Sequence, residues 1–221
     1  IYKGYVQHYD KLKDAMNSSM QHPEIYLVRH GETEWNCSKR YQGQLDSRLT
    51  EKGKIQAASV GHLIKTVFSE DGAIPIYCSP LGRCKQTAKE ICNVAAIDPA
   101  KTKFEDRLME LHCGHWQTFT RKEVEELWPN EVADYKADIW NYKIPGGGEN
   151  GPMLQRRARG WLRDVFRAPR IVVISHGMIG RIIRGLCCDL SPEEVLSLKV
   201  PQGVVFHLKN GIETILPGIH T

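Results

Sequence analysis

Two short apolar runs each end in a histidine. Ile25-Tyr26-Leu27-Val28 passes into Arg29-His30-Gly31, and Ile171-Val172-Val173-Ile174 passes into Ser175-His176-Gly177. Near neutral pH an imidazole serves as nucleophile, hydrogen-bond donor or cation. The glycine after each histidine lets the backbone turn tightly and leaves the ring facing outward. If the two runs are parallel neighbours, the histidines meet at the carboxyl edge of the sheet, where open α/β sheets bind ligands. The other histidines offer no such placement: His8, His22 and His220 lie in terminal segments, His62 falls within a helical pattern and His207 within a strand.

Around this pair the first loop carries Arg29, Glu32, Thr33, Asn36, Arg40, Gln42 and Gly43, and Arg83 follows a second strand. Guanidiniums, amide donors and two imidazoles make a pocket for a compact, multiply charged anion, and phosphate is the obvious candidate. No Walker loop is present, because Gly53-Lys54 is followed by Ile55 and lacks the earlier glycine. Cys78 to Arg83 is C-x4-R, one residue short of a thiolate phosphate loop, so Cys78 reads as the last buried residue of a strand.

Strand and helix patterns alternate along the chain, which predicts a three-layer αβα sandwich with a mainly parallel sheet. Thr50 caps a helix carrying Val60, Leu63, Ile64, Val67 and Phe68, and a strand follows over Ile74 to Cys78. Ser79-Pro80 reads as an N-cap followed by proline at the first helical position, with Leu81, Cys84, Ala88, Ile91, Cys92 and Ala95 as the buried stripe. Arg83 then sits in a first helical turn, where free amides and the dipole favour an anion.

Residues 119–150 leave the alternation for two short helices split at Pro129 and closed by Pro145-Gly146-Gly147-Gly148, a lid candidate or a helical cover. Pro152 opens a helix facing inward with Leu154, Ala158, Trp161, Leu162, Val165 and Phe166. Met178 to Cys188 forms the next, and Ser191 to Glu194 has capping-box spacing. Val204–Leu208 and Ile212–Leu216 flank Lys209-Asn210-Gly211 as an antiparallel hairpin at the sheet edge.

The 221 residues suit one α/β domain over 24–221, preceded by an N-terminal extension over 1–23 in which Val6, Tyr9 and Leu12 to Met16 form a small amphipathic pattern. A net charge of +4 allows anionic substrates and falls short of a nucleic-acid binder. Seven cysteines without C-x-x-C spacing read as reduced thiols, and no run suggests a membrane span or a leader, so a cytoplasmic protein is expected. The first residue is Ile1, which leaves an upstream targeting segment open.

Four motifs taken together resemble the histidine phosphatase superfamily, which includes cofactor-dependent phosphoglycerate mutases and related phosphatases. Arg29-His30-Gly31-Glu32-Thr33-Glu34-Trp35-Asn36 with Arg40, Gln42-Gly43 and Asp46 is similar to its signature. Ser79-Pro80-Leu81-Gly82-Arg83 with Gln86-Thr87-Ala88 is similar to the second motif, Glu110 with Gly114 and Trp116 to the acid-bearing loop, and Ser175-His176-Gly177 to the last.

The resemblance implies a phosphoglycerate mutase-like fold with His30 as nucleophile, Arg29, Arg83 and His176 as donors to the equatorial phosphoryl oxygens, and Glu110 as general acid to the leaving alkoxide. Asn36, Gln42, Gly43 and Gly177 would bind substrate, with neither metal nor cofactor. Arg48 stands where the family usually has proline, Cys84 where alanine is common, and Gln117-Thr118 where Glu-Gly is common. His112, Cys113, Trp116 and residues 119–150 are expected to shape the substrate pocket. Thr33 and the short loop at Glu110 resemble the phosphatase branch, so hydrolysis of a small phosphorylated substrate is expected, with mutase-type transfer as the alternative. A non-catalytic phosphate-recognition module would instead use Arg156, Arg157, Arg159, Arg163, Arg167 and Arg170. Neither nucleic acid nor membrane is expected as a partner, and the oligomeric state stays open, a homodimer among the options.

Overall fold

The computed structural model describes residues 22–68 and 74–219. The amphipathic pattern between Val6 and Met16, with His8 and His220, lies outside the described residues. Six strands form one sheet: β1 (Glu24–Arg29), β2 (Ile76–Cys78), β3 (Thr102–Phe104), β4 (Arg170–Ser175), β5 (Val204–Lys209) and β6 (Ile212–Pro217). Their order is β3-β2-β4-β1-β5-β6. The first four are parallel, β5 runs antiparallel to β1, and β6 runs antiparallel to β5. Asn210 and Gly211, both at positive φ, make the tight turn between the last two.

Eight helices are present among the described residues: α1 (Glu34–Cys37), α2 (Glu51–Val67), α3 (Gly82–Ala95), α4 (Arg121–Leu127), α5 (Pro129–Ala137), α6 (Gly151–Val165), α7 (Gly177–Cys188) and α8 (Pro192–Ser197). The central strands are apolar on both faces because helices cover both. Ile25, Leu27, Ile171 and Val173 pack with Leu154, Trp161 and Ile183 on one side. Tyr26, Val28, Val172 and Ile174 pack with Val60, Ile64, Cys84 and Ile91 on the other. Three layers result, as the alternation predicts. None of the described helices is long and apolar enough to cross a membrane.

The β1–β4 register places Val28 opposite Ile174 and Arg29 opposite Ser175, and His30 N donates to Ser175 O at 2.9 Å. On the other side of β4, Cys78 pairs with Ile174, and Ser79 N donates to Ile174 O. Three adjacent strands therefore end level with one another and deliver His30, His176 and Ser79 to one edge.

Several expected boundaries shift. β2 starts at Ile76 rather than Ile74, and Phe166 is 42% exposed, beyond the last inward turn of α6. Ser79-Pro80 does not begin α3. Ser79 is still held to the sheet, and α3 starts three residues later, where the Asp46 carboxylate accepts Gly82 N at 2.6 Å and Arg83 N at 3.2 Å. A cap from a distant loop replaces the local one, and Arg83 keeps its first-turn position.

The 119–150 excursion folds around Trp116, whose indole is 1% exposed and packs against Tyr41, Tyr135 and Tyr142. Its Nε1 donates to Glu131. Trp116 is thus the core of the excursion rather than a pocket wall.

Candidate active site

His30 is buried, and its Nδ1–H donates to Gly31 O at 2.8 Å. That bond fixes the tautomer and leaves the Nε2 lone pair free. Burial, with the Arg83 and Arg29 charges nearby, holds this imidazole well below its ordinary pKa. The ring is neutral near pH 7 and has the electronic form of a nucleophile. Gly31 N donates to Thr87 Oγ1, and Gln202 Nε2 donates to both His30 O and Asn36 Oδ1, so the turn is braced from α3 and from the loop before β5.

The His176 ring lies 5.3 Å from that of His30, centroid to centroid. Arg83 Nε donates to its Nδ1 at 3.1 Å, which leaves the proton on Nε2, 2.7 Å from Ser79 Oγ. Burial first, then the Arg83 charge, keep this imidazole neutral as well. As arranged, both ring nitrogens are engaged with the protein, and Cys84 Sγ packs 3.4 Å from Nε2.

Arg83 is 1% exposed. Its other bonds run from Nη1 to Leu45 O at 2.6 Å and Asp46 Oδ1 at 2.9 Å, and from Nη2 to Gly43 O at 2.7 Å. Of the five N–H groups of a guanidinium, one on Nη2 is left. Arg29 Nη1 donates to Val200 O, while its buried Nε has no hydrogen-bond partner. A buried donor without an acceptor costs about 1–3 kcal/mol. Such a group marks a place for a ligand oxygen.

Glu110 caps α7. Its Oε1 accepts from the backbone N of Leu111, Met178 and Ile179, whereas Oε2 accepts only from Met178. A Cβ built on Gly177 would lie 3.5 Å from Glu110 Oε2 and 3.7 Å from Arg29 Nε. Gly177 therefore keeps open the space between the carboxylate and the orphaned donor.

Gly43 adopts φ +54°, and a Cβ there would meet Gln117 Oε1 at 2.2 Å. Its carbonyl holds Arg83. Gln42 is buried and accepts from Ser47 Oγ, and Asn36 caps back onto Thr33 N. Arg40 does not join the cluster, since it turns to Thr118 O and Glu123. Arg157 is not a free surface cation either: it ties Glu149 to the carbonyls of Arg107 and Glu110. The sequence suggests Ser79 only as a helix cap and as the start of the second motif, whereas the fold makes it the partner of His176, and nothing local marks Gln202. Among the described residues no group of three or more His, Cys, Asp or Glu could hold a metal ion.

Residues 25–211 match the Histidine phosphatase superfamily (branch 1). A protein of Salmonella paratyphi C described as probable phosphoglycerate mutase GpmB is 37% identical over 161 residues, 70% of each chain. A putative alpha-ribazole-5'-P phosphatase of Escherichia coli superposes with a TM-score of 0.74 at 20% identity, covering 90% of this chain and 99% of its own. Bacillus stearothermophilus YhfR does so with a TM-score of 0.70 at 25% identity, covering 90% and 98%. With paired strand ends, a neutral buried histidine and this sequence match, the chain belongs to branch 1 of the histidine phosphatase superfamily.

Proposed function

We propose that the protein hydrolyses small phosphomonoesters through a phosphohistidine on His30. The observation that carries this reading is the neutral His30 with its free Nε2, set beside the unpartnered Arg29 Nε and the one remaining Arg83 N–H.

In the first step His30 Nε2 attacks phosphorus as the ester P–O bond breaks, and the leaving alkoxide takes a proton from Glu110. Glu110 Oε2, the less engaged oxygen, is the carrier. Water then gives a proton back to Glu110 and attacks phosphorus, which releases phosphate and restores neutral His30. Arg29 and Arg83 hold the charge on the equatorial oxygens, and such preorganised donors are worth more in a buried site than in water. His176 locks the Arg83 fork, and its Nε2–H reaches the phosphoryl group when it exchanges Ser79 for an oxygen. These groups supply the charge stabilisation with no metal in the step. The free thiols suit a reducing compartment such as the cytoplasm.

Incubation with a phosphomonoester and rapid quenching should give an acid-labile, base-stable phosphoryl group on His30, absent in His30→Ala. Full turnover by His30→Ala overturns the reading. Likeness to a probable phosphoglycerate mutase favours a second one, transfer between the 2- and 3-positions of phosphoglycerate. It predicts exchange primed by bisphosphoglycerate that is faster than phosphate release, whereas hydrolysis predicts the reverse.

A further inference from the structure

Beyond Glu110 lies a cavity of about 170 Å³, walled by Leu111, Met178 and Arg181 on one side and by Tyr135, Ile139 and Tyr142 of the excursion on the other. Leu111 and Met178 are two of the residues whose backbone N–H groups hold the Glu110 carboxylate, so cavity and carboxylate share a wall. The group that protonates a departing alkoxide must lie beside it. An alcohol whose body extends to this side reaches the cavity.

Size and lining restrict what enters. An apolar cavity of roughly 150 Å³ takes one benzene ring, so this one takes a single six-membered ring. Two of its polar groups are committed, Glu149 to Arg157, His112 N and Gln44, and Asn150 to the cap of α6 and Asn141 O, and the Tyr135 and Tyr142 hydroxyls are neutral. Arg181 differs. Its Nε donates to Leu198 O at 2.8 Å, while its two terminal amino groups make no hydrogen bond and no salt bridge among the described residues. It is half-buried and feels the Glu110 charge without touching it. An acidic substituent on the ring would complete that fork.

Resting on the hydrolytic reading above, we propose that this cavity is the leaving-group subsite and that it selects phosphomonoesters of a single-ring alcohol or phenol bearing a carboxylate. The ring lies among Tyr135, Ile139, Tyr142 and Met178, and the carboxylate pairs with Arg181.

The test compares kcat/KM for 4-carboxyphenyl, phenyl and ethyl phosphate across the wild type, Arg181→Gln, Arg181→Lys and Ile139→Trp. Ratios between variants cancel the intrinsic reactivity of each ester. Arg181→Gln should lower the carboxyphenyl-to-phenyl ratio about tenfold, the loss expected for a charge-assisted hydrogen bond, and Arg181→Lys should restore part of it. Ile139 is 41% exposed, so a tryptophan there can fill the cavity from its rim. It should lower the phenyl-to-ethyl ratio about tenfold. Unchanged ratios in both variants overturn the subsite while hydrolysis stands. If no ester is turned over, the hydrolytic reading fails, and calorimetry with 4-carboxyphenyl phosphate decides the subsite: equal affinity for wild type and Arg181→Gln overturns it.

Discussion

Arg83 Nε donates to His176 Nδ1 at 3.1 Å, and this one bond sets both the imidazole tautomer and the direction of the guanidinium fork. Lysine at position 83 keeps the charge but has a single ammonium in place of the fork. It cannot reach His176, Gly43 O, Leu45 O and Asp46 together. Arg83→Lys should therefore lower kcat/KM by about 10²–10³, the loss typical of one transition-state donor. Steady-state kinetics check this, and a loss below fivefold would mean that charge alone suffices.

The two buried histidines give the fold a pH dependence of known sign. Folded, both stay neutral well below their ordinary pKa, and unfolded each takes up a proton near 6.5. Below pH 6.5 the unfolded chain binds more protons, so stability falls as pH drops, by up to ~1.4 kcal/mol per pH unit for each histidine. Above pH 6.5 the pair contributes no slope. Urea unfolding at pH 7.5 and 5.5 measures the drop, and His30→Asn should remove about half of this contribution.

Gly31 and Gly53 pack backbone to backbone. A Cβ on Gly31 would lie 2.3 Å from Gly53 O, and one on Gly53 would lie 2.1 Å from Glu32 O. Neither neighbour is a side chain that can step aside. Gly53→Ala should destabilise by about 1–3 kcal/mol and cost roughly 10²-fold in kcat, because displacing the His30 turn by about 1 Å misaligns attack. Gly160→Ala is the control: its Cβ would meet only Arg107 Nη1, at 3.7 Å. A helix interior gains ~0.5–1 kcal/mol from that change, so the urea midpoints should move in opposite directions.

What could be read from the sequence was whatever periodicity and chain order encode. The apolar runs at Ile25 and Ile171 gave the parallel strands, and the adjacent histidines followed from their ends. The turn residues of the β5–β6 hairpin and the Ser191 capping box were equally local. Contacts made at long sequence separation were not legible. Asp46 caps a helix 36 residues away, Gln202 braces His30 across 172 residues, and Arg157 holds the Glu110 carbonyl from α6. Each of these side chains looks like an ordinary solvated group until the fold brings its partner close.

Thr118 occupies φ +77°, a left-handed conformation that a β-branched residue adopts at a cost of about 1–2 kcal/mol. It is held there by Thr118 N donating to Tyr41 O and by Arg40 donating to Thr118 O. Both bonds use the backbone, so glycine keeps them. Glycine also adds freedom to the unfolded chain, worth about 0.5–1 kcal/mol. Thr118→Gly should then stabilise by about 0.5–1 kcal/mol. The melting temperature checks this, and a fall would show that the side chain packs favourably enough to offset its backbone.

Glu110 does two things in this structure, and glutamine separates them. Oε1 accepts from Leu111, Met178 and Ile179 while Oε2 only shares the Met178 N–H, so Glu110→Gln with its carbonyl in the Oε1 position keeps an acceptor for all three N–H groups at the start of α7 and turns its amide toward Gly177. The fold survives and the transferable proton is lost. An alkyl ester needs that proton at its leaving oxygen, and general acid catalysis contributes about 10²–10⁴-fold. A 4-nitrophenyl ester departs as a stable phenolate and needs it far less. Glu110→Gln should therefore lower kcat for an alkyl phosphate by about 10²–10⁴ and for 4-nitrophenyl phosphate by less than tenfold. Equal losses on both esters would show that the carboxylate serves only to seat α7 and that the proton comes from elsewhere.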